Sequence, residues 1–225
     1  MKPVVAIDGP SGSGKSSVAR LLAQRLGYQH LDTGAMYRAV ALAAFRKDIP
    51  YDDARRLDEL CASISIDLDH RGEELVVYLD GEDVTDHIRT PEMSLGSSAV
   101  SALPEVRQHM VRLQQFLGRN GAMVAEGRDM GTVVFPDTPA KFYLDASLTE
   151  RARRRWLQLR EQGMEQAEGD VLSQLKTRDR NDTNRSHSPL KRAGDATYID
   201  TTAMSLEEVV DTLSARVTEL ESVDA

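Results

Sequence analysis

A short stretch near the amino terminus combines glycines, small residues and one lysine in a spacing that suits phosphate chemistry. Residues 9–16 are GPSGSGKS, which fits the pattern G-x-x-x-x-G-K-[ST]. Glycines let successive backbone N–H groups converge on phosphate oxygens, and a helix start adds unpaired N–H groups and a positive dipole end. Lys15 supplies a cation for the β- and γ-phosphates, and the hydroxyl of Ser16 is suited to ligate Mg²⁺. The stretch therefore predicts a nucleoside triphosphate site.

The residues that flank this loop have the patterns of the two elements needed to hold it. The apolar run at residues 4–7 is typical of a short buried strand. From Lys15 onward, apolar residues recur at helical spacing, and Gly27 is a suitable residue to end that helix. A strand, a glycine-rich loop and a helix in this order favour a phosphate-binding loop over a chance glycine-rich turn.

A loop of this kind indicates a triphosphate but not what is done with it. A small-molecule kinase, a nucleotide-driven switch or motor, and a binding module without chemistry are the three candidates. The sequence holds no N-K-x-D motif, which a regulatory GTPase needs to recognise its base. A motor ATPase needs an apolar strand that ends in an acid, together with contacts between subunits, and AMVAEG at 122–127 offers only the first of these. The small size and the scattered arginines favour transfer to a second anionic substrate.

The distribution of charge supports that choice. The net charge of −8 argues against a general nucleic-acid binder. Residues 151–192 nevertheless carry 11 Lys or Arg against 6 Asp or Glu, while the rest of the chain carries 17 against 30. Arginines concentrated in one stretch of an acidic protein indicate a focused anionic site. A solvated helix face is an equally good interpretation for four of them, namely Arg151, Arg153, Arg154 and Arg155.

Strand and helix patterns alternate along the chain and predict an α/β fold. Besides residues 4–7, strand patterns occur at 28–32, 122–127, 140–146 and 196–201. Helical patterns separate them, which predicts a doubly wound, five-stranded parallel sheet. The last helix is expected to open on a capping box formed by Ser205 and Glu208.

The middle of the chain departs from this rhythm. SISIDL (63–68) and LVVYLDGEDVT (75–85) alternate like strands, with DHRG (69–72) as a turn between them. Two strands with a short connection are antiparallel, so a small antiparallel insertion beside the parallel sheet is expected. A helical stretch is expected to follow, from about Pro91 to Leu117.

Composition sets the expected compartment and partners. No apolar run approaches the roughly 18 residues that span a bilayer, and residues 1–9 lack the apolar core and cleavage site of a signal peptide. Cys61 is the only cysteine, which excludes an intrachain disulfide and fits a reducing compartment, with the thiol as a small buried side chain. We therefore expect a cytoplasmic protein without membrane or nucleic-acid partners. The absence of an exposed heptad pattern makes a monomer the default expectation.

Polar side chains follow the predicted strands where ligands bind in a doubly wound sheet. Thr33 and Arg38 follow the strand at 28–32, and Arg128 and Asp129 follow the strand at 122–127. Further charged residues precede the last strand, namely Arg178, Arg180, Asp182 and Arg185. The carboxyl ends of parallel strands meet at one edge, so these arginines are expected to converge there. Phosphoryl transfer needs such convergence, because charge on the transferring group must be neutralised, and the planar donor fork of arginine suits this task.

Five stretches, in their order and spacing, resemble those of the bacterial cytidylate kinases. They are DGPSGSGKSS (8–17), LDTGAMYRA (31–39), GEDVTDHIRT (81–90), EGRDMGTVVFPD (126–137) and RDRNDTNRSHSPL (178–190). The second, fourth and fifth are specific beyond the generic phosphate loop. The resemblance implies a P-loop kinase fold that uses ATP and Mg²⁺ to phosphorylate CMP or dCMP, with UMP as a poor substrate. It also implies three regions: a core at 1–32, 100–154 and 171–225, a nucleoside-monophosphate-binding region at 33–99, and a mobile lid at 155–170.

Matching positions then imply roles for individual residues. The ATP phosphates would be held by Gly9, Pro10, Ser11, Gly12, Ser13, Gly14, Lys15, Ser16 and Ser17, with Mg²⁺ on Ser16. Arg155, at the start of the lid arm, would also contact ATP. CMP would be held by Thr33, Arg38, Ser98, Arg107, Arg128, Asp129, Asp182 and Arg185. Catalysis would depend on Lys15, Arg128, Asp129 and Arg178, the last of which would bridge the donor and acceptor phosphates.

One position departs from the family pattern, since Glu126 stands where many members have aspartate. The side chain is one methylene longer and would still reach a Mg²⁺-bound water, so tuning rather than loss of activity is expected.

Four histidines show no metal-ligand spacing and are expected to be structural or at the surface, namely His30, His87, His109 and His187. The rival interpretations are another P-loop small-molecule kinase and a non-catalytic nucleotide-sensing module.

Overall fold

The structure, a computed structural model, describes residues 2–72, 74–161 and 163–223. The chain divides into two compact units. The first unit extends to His30 and resumes at Asn120, and the second is Leu31–Arg119. The functional division into core, substrate region and lid stays a prediction.

Helices and strands alternate through most of the described chain. The strands are β1 (Val4–Asp8), β2 (Gln29–Asp32), β3 (Ile66–Arg71), β4 (Glu74–Leu79), β5 (Glu82–Asp83), β6 (Met123–Gly127), β7 (Ala140–Asp145) and β8 (Thr197–Asp200). The helices are α1 (Lys15–Leu26), α2 (Thr33–Arg46), α3 (Ala54–Ser63), α4 (Pro91–Val100), α5 (Pro104–Gly118), α6 (Leu148–Glu161), α7 (Glu168–Asn184) and α8 (Leu206–Val223). Short 3₁₀ and π-helical turns lie at His87–Arg89 and Met130–Val134. Among the helices described, none is both long enough and apolar enough to cross a bilayer.

A five-stranded sheet in the order β2-β6-β1-β7-β8 confirms the α/β fold predicted from the sequence. β1 is its central strand, because it pairs in parallel with β6 on one side and with β7 on the other, and all of its residues are buried. Ile7 and Asp8 at its end lie level with Glu126 and Gly127 of β6. The register therefore brings the carboxyl ends of β1 and β6 together at one edge of the sheet.

Apolar side chains from α1 and α8 pack against the sheet in the first unit. They form one cluster that includes Ile7, Val18, Leu22, Phe142 and Leu213. Gly27 ends α1 with a φ of 65°, as predicted. The predicted capping box is also confirmed, because the N–H of Ser205 donates to Oε2 of Glu208 at 2.8 Å and the N–H of Glu208 donates to Oγ of Ser205 at 3.3 Å.

The second unit contains the small antiparallel sheet, in the order β3-β4-β5. Two strands were expected where three occur, because a two-residue turn at Asp80 and Gly81 interrupts the run at 75–85. Their φ values are 51° and 82°, as tight hairpins require. The boundaries predicted for the first strand were wrong as well, since α3 continues to Ser63 and β3 extends through most of the expected turn to Arg71.

The helical stretch expected from about Pro91 to Leu117 is present as two helices, because a break at residues 101–103 separates α4 from α5. Pro104 explains the break. A proline disfavours helical geometry at the preceding residue, and it cannot donate the N–H bond of a helix interior. At the first position of α5 its missing N–H costs nothing.

Gly9, directly after β1, has no room for a side chain. Its φ is +150°, and a Cβ built there would lie 2.0 Å from the carbonyl oxygen of Leu144 on β7. We expect Gly9→Ala to lower the free energy of unfolding by at least about 2 kcal/mol, because the backbone must shift to accommodate it. Urea unfolding followed by circular dichroism measures the change.

Gly194→Ala is the matched control, since a Cβ there meets open space and its φ is not positive. It should alter the free energy of unfolding by less than about 0.5 kcal/mol. Equal effects of the two substitutions would contradict the steric explanation.

Candidate active site

The loop between β1 and α1 is supported by side chains from elsewhere in the first unit. Gly14, which precedes α1, has a φ of 89° that other residues rarely adopt. The carbonyl oxygen of Ser11 accepts a hydrogen bond from Arg151 at 3.1 Å, and that of Ser13 accepts one from Oγ1 of Thr201 at 3.2 Å. Both carbonyl oxygens accept hydrogen bonds from residues outside the loop. This arrangement favours a loop conformation in which the backbone N–H groups face a ligand at the start of α1.

The ammonium group of Lys15 lies over this loop. It donates to the carbonyl oxygen of Pro10 at 2.6 Å and to Oγ of Ser13 at 3.3 Å. Burial, together with the nearby guanidinium groups of Arg128 and Arg178, lowers the pKa of Lys15 to about 7. A bound polyanion would offset the repulsion among these cations, so the site is electrostatically suited to phosphate.

Ser16 is hydrogen-bonded to an acid at the end of β6. Its Oγ donates to Oε2 of Glu126 at 2.9 Å. The other carboxylate oxygen, Oε1, lies 3.4 Å from Nε2 of His30. His30 was expected to be structural or at the surface, and the 9% exposure of its side chain excludes the surface. His109 pairs instead with Asp58 at 2.8 Å in the second unit.

Asp8, the last residue of β1, anchors the segment that follows Arg128 and Asp129. Its two carboxylate oxygens accept hydrogen bonds from the N–H groups of Met130 and Gly131 at 2.7 and 2.8 Å. Burial raises the pKa of Asp8 to about 6, although these two hydrogen bonds oppose the shift. The contact fixes the start of the π-helical turn, a form that often occurs near functional sites.

Arg128 and Asp182 join the end of β6 to α7. Nε of Arg128 donates to Oδ2 of Asp182 at 2.9 Å. Burial opposes the charged form of Asp182, but the charges of Arg128, Arg178 and Arg185 outweigh it and lower the pKa of Asp182. Predicted residues from two distant stretches of the sequence therefore lie together in the first unit, one of them after β6 and three of them in or directly after α7.

Two of the four arginines at 151–155 support the loop and the chain near it, so they do not form a solvated face. Arg151 is buried and pairs with Asp179 of α7 at 2.6 Å, besides its hydrogen bond to Ser11. Arg154 donates to Oγ1 and to the carbonyl oxygen of Thr201 at 3.0 and 2.6 Å. The other two lie nearer the surface, Arg153 with Glu150 and Arg155 with Gln158.

In the second unit, the start of α2 positions two residues of the predicted CMP set. Asp32 caps the helix, because its Oδ1 accepts a hydrogen bond from the N–H of Ala35 at 2.9 Å. Thr33, the first residue of α2, is buried. The second carboxylate oxygen of Asp32 pairs with Arg38 at 3.0 Å. The guanidinium of Arg38 is thereby oriented from one side.

The break between α4 and α5 positions the other two. Arg107 is buried, and it donates to the carbonyl oxygen of Ser101 at 3.1 Å. Its guanidinium carbon lies 5.5 Å from the centre of the Tyr37 ring, a cation–π distance. Oγ of Ser101 donates in turn to the carbonyl oxygen of Ser98 at 3.2 Å. Ser101 thus contacts both residues, Arg107 through its carbonyl oxygen and the backbone of Ser98 through its hydroxyl.

Comparison with known proteins identifies the family. The family model for cytidylate kinase matches residues 5–219. The chain belongs to the cytidylate kinase family. It is 50% identical over 218 residues to a cytidylate kinase of Geobacter sulfurreducens, covering 97% of this chain and 94% of the relative. A cytidylate kinase of Aeromonas salmonicida is 43% identical over 96% of this chain and 94% of its own length.

Among solved structures, an uncharacterized protein from Eubacterium ventriosum aligns with a TM-score of 0.53. The alignment covers 97% of this chain and 99% of that one, at 13% sequence identity. Identity this low shows similarity of fold alone. Five sequence stretches predicted that the chain is similar to the cytidylate kinases. The family match, and not the structural alignment, confirms that prediction.

Membership of the cytidylate kinase family does not test the individual site residues, which stay predictions. Sequence reasoning missed the residues that hold the site in place, namely Asp8, Thr201 and Asp179. Asp8 was open to prediction, because an acid at the end of a buried strand that precedes a phosphate loop is well placed to contact the neighbouring strand's loop. No local signal marks Thr201 or Asp179, whose partners lie far away in the sequence.

The pKa of Asp8 yields a stability prediction. The pKa of about 6 in the folded protein lies above the value of 3.8 for an unperturbed aspartate, so the folded state binds this proton more tightly than the unfolded chain. The stabilisation is complete below about pH 4 and is lost as the pH rises through about 6. Between pH 4.5 and 7.5 the free energy of unfolding should therefore fall by about 2 kcal/mol relative to Asp8→Asn, which cannot ionise. Urea titrations at the two pH values measure the difference, and parallel pH profiles would contradict the prediction.

Proposed function

We infer that the chain transfers the γ-phosphoryl group of ATP to CMP or dCMP, giving ADP and CDP or dCDP. Membership of the cytidylate kinase family supports this activity. The structural observation that carries it is the placement of Lys15, Arg128 and Arg178 around one loop, where their charges repel. Such a cluster is stabilised by the negative charge of a transferring phosphoryl group.

The proposed roles divide along the two substrates. Residues 9–17 bind the ATP phosphates, and Arg155 contacts ATP when the lid closes. Arg128, Asp129, Asp182 and Arg185 of the first unit bind CMP. The proposed contacts of the second unit with CMP rest on the family resemblance and involve Thr33, Arg38, Ser98 and Arg107.

The proposed reaction needs no covalent bond between the protein and the substrate. The 5′-phosphate of CMP is an anion at neutral pH, so its oxygen attacks the γ-phosphorus without a strong general base. The bond from that phosphorus to ADP breaks in line with the new bond, and no enzyme intermediate forms. Lys15, Arg128 and Arg178 neutralise the transferring charge, while Asp129, which is buried next to Arg128, assists weakly.

Mg²⁺ fits the pair formed by Ser16 and Glu126, because a hydroxyl and a carboxylate are the hard oxygen ligands that it prefers. Ser16 would bind the ion directly and Glu126 through a bound water. Within the described residues, no group of three or more His, Cys, Asp or Glu side chains is placed to hold a metal ion. When bound, the ion neutralises the β- and γ-phosphates of ATP.

Residues 155–170 are proposed to close over ATP and exclude water, which would otherwise hydrolyse it. The connection between α6 and α7 lies here, where Nε1 of Trp156 donates to the carbonyl oxygen of Gln166 at 3.1 Å. Gly163, with a φ of 74°, is the favoured point of bending, whereas Gly169 lies in the first turn of α7. Gln162 lies outside the described residues.

A cytoplasmic location is proposed, in keeping with the single cysteine, and a monomer is proposed because the sequence has no obvious exposed heptad pattern. Burial raises the pKa of the Cys61 thiol to about 12, which makes it unreactive toward oxidants and metals near neutral pH. The thiol is a packing group of α3 rather than a functional one.

Lys15→Met should abolish turnover while leaving the fold intact, because it removes the cation that contacts the transferring group. ADP release with CMP, dCMP, UMP, AMP and shikimate as acceptors measures turnover, and circular dichroism measures the fold. Near-normal kcat in the variant would contradict the loop assignment. Release from the wild type without any acceptor would favour a switch or motor, and no release with any acceptor would favour a binding module.

Arg128→Ala should weaken CMP binding by roughly 10- to 100-fold while changing ATP affinity far less, because charge-assisted hydrogen bonds to the acceptor phosphate are lost. Isothermal titration calorimetry with each nucleotide measures both affinities. Arg153→Ala is the matched control, since Arg153 pairs with Glu150 on the surface of α6 and should leave both unchanged. Equal losses for CMP and ATP in Arg128→Ala would contradict the placement of Arg128 on the acceptor.

A further inference from the structure

The carboxylate of Glu126 has a different neighbour at each oxygen. Oε2 accepts the hydrogen bond of Ser16 at 2.9 Å, and Oε1 faces Nε2 of His30 at 3.4 Å. The exposed fractions of the Glu126 and His30 side chains are 5% and 9%, so water screens their interaction weakly. The acid is therefore oriented from two sides.

The strand order explains how His30 comes to face this acid. β2 and β6 are neighbours in the sheet, and the N–H of Gln29 donates to the carbonyl oxygen of Ala122 at 2.9 Å. His30 and Glu126 thus stand on adjacent strands rather than on loops. Adjacent strands fix the separation of two side chains more firmly than loops do.

A glutamate needs this orientation more than an aspartate would. The additional methylene adds a rotatable bond, which allows the carboxylate of Glu126 to turn away from Ser16. The hydrogen bond from Ser16 restrains only one of the two oxygens. A second group on the other oxygen limits the remaining freedom.

We propose that His30 is a positioning residue, which holds the carboxylate of Glu126 in the orientation that, together with Ser16, receives the Mg²⁺ of MgATP. The proposal rests on the ATP-dependent function inferred above and assigns a role to a residue that this function alone does not require. Neighbours of metal ligands act in this way by fixing the orientation of the groups that face the ion.

Calorimetric titrations without turnover test the proposal. His30→Leu should weaken the binding of MgATP about tenfold, in the range seen when a group that orients a metal ligand is removed. It should leave unchanged the binding of ATP in EDTA and the binding of CMP, because neither depends on the ion. His30→Gln, whose amide N–H can take the place of Nε2, should restore most of the MgATP affinity.

A double variant and a control sharpen the result. In a Glu126→Gln background, His30→Leu should cause no further loss, because the carboxylate that it orients is gone. His109→Leu is the matched control, since His109 also faces a carboxylate, that of Asp58, but in the second unit. It should bind MgATP as the wild type does.

Equal losses of affinity for MgATP and for ATP in EDTA would overturn the proposal, as would wild-type binding by His30→Leu. Either result leaves the proposed function standing if the wild type phosphorylates CMP, whereas a wild type that does not phosphorylate CMP refutes the function itself. If His30→Leu does not fold, His30→Gln and His30→Asn replace it. The shorter amide of asparagine should lose the MgATP affinity that glutamine keeps, and equal affinities would overturn the proposal.

Discussion

Repulsion among cations around the phosphate loop is the constraint on which the rest of the site depends. Lys15 is buried close to the guanidinium groups of Arg128 and Arg178, and its pKa falls accordingly. Asp182 holds Arg128 directly, and Glu126 and Asp8 partly offset the charge around Lys15. These acids therefore stabilise the cluster of cations until a bound anion neutralises it.

Residues that do not touch substrate also contribute to this arrangement, because they hold the loop and the charged side chains in position. Arg151 holds the loop through Ser11 and holds α7 through Asp179. Asp8 holds the segment that follows Arg128. Positioning of this kind lowers a reaction barrier because the charged groups need little reorganisation when the transition state forms. The stability of the first unit and the chemistry proposed for it thus depend on the same hydrogen bonds.

Local features of this molecule were predictable from the sequence, and distant partnerships were not. GPSGSGKS predicted both the loop and the helix that follows it, because glycine conformations and helix starts are determined by neighbouring residues. The pairs Ser13–Thr201 and Arg151–Asp179 depend on the sheet order, which periodicity does not reveal. His30 illustrates the limit, because nothing in its surroundings along the chain indicates an acid 96 residues away. The family resemblance supplied roles for Ser98 and Arg107 that spacing alone did not.

The break between α4 and α5 has a consequence for how the chain can vary. Arg107 reaches the carbonyl oxygen of Ser101 only because residues 101–103 leave the helix and set the rotational phase of α5. In an uninterrupted helix each residue turns by about 100°, so residues 101 and 107 would point to different sides of the helix, and the break is what allows the contact. The number of residues between α4 and α5 is therefore part of what places Arg107 on the carbonyl oxygen of Ser101.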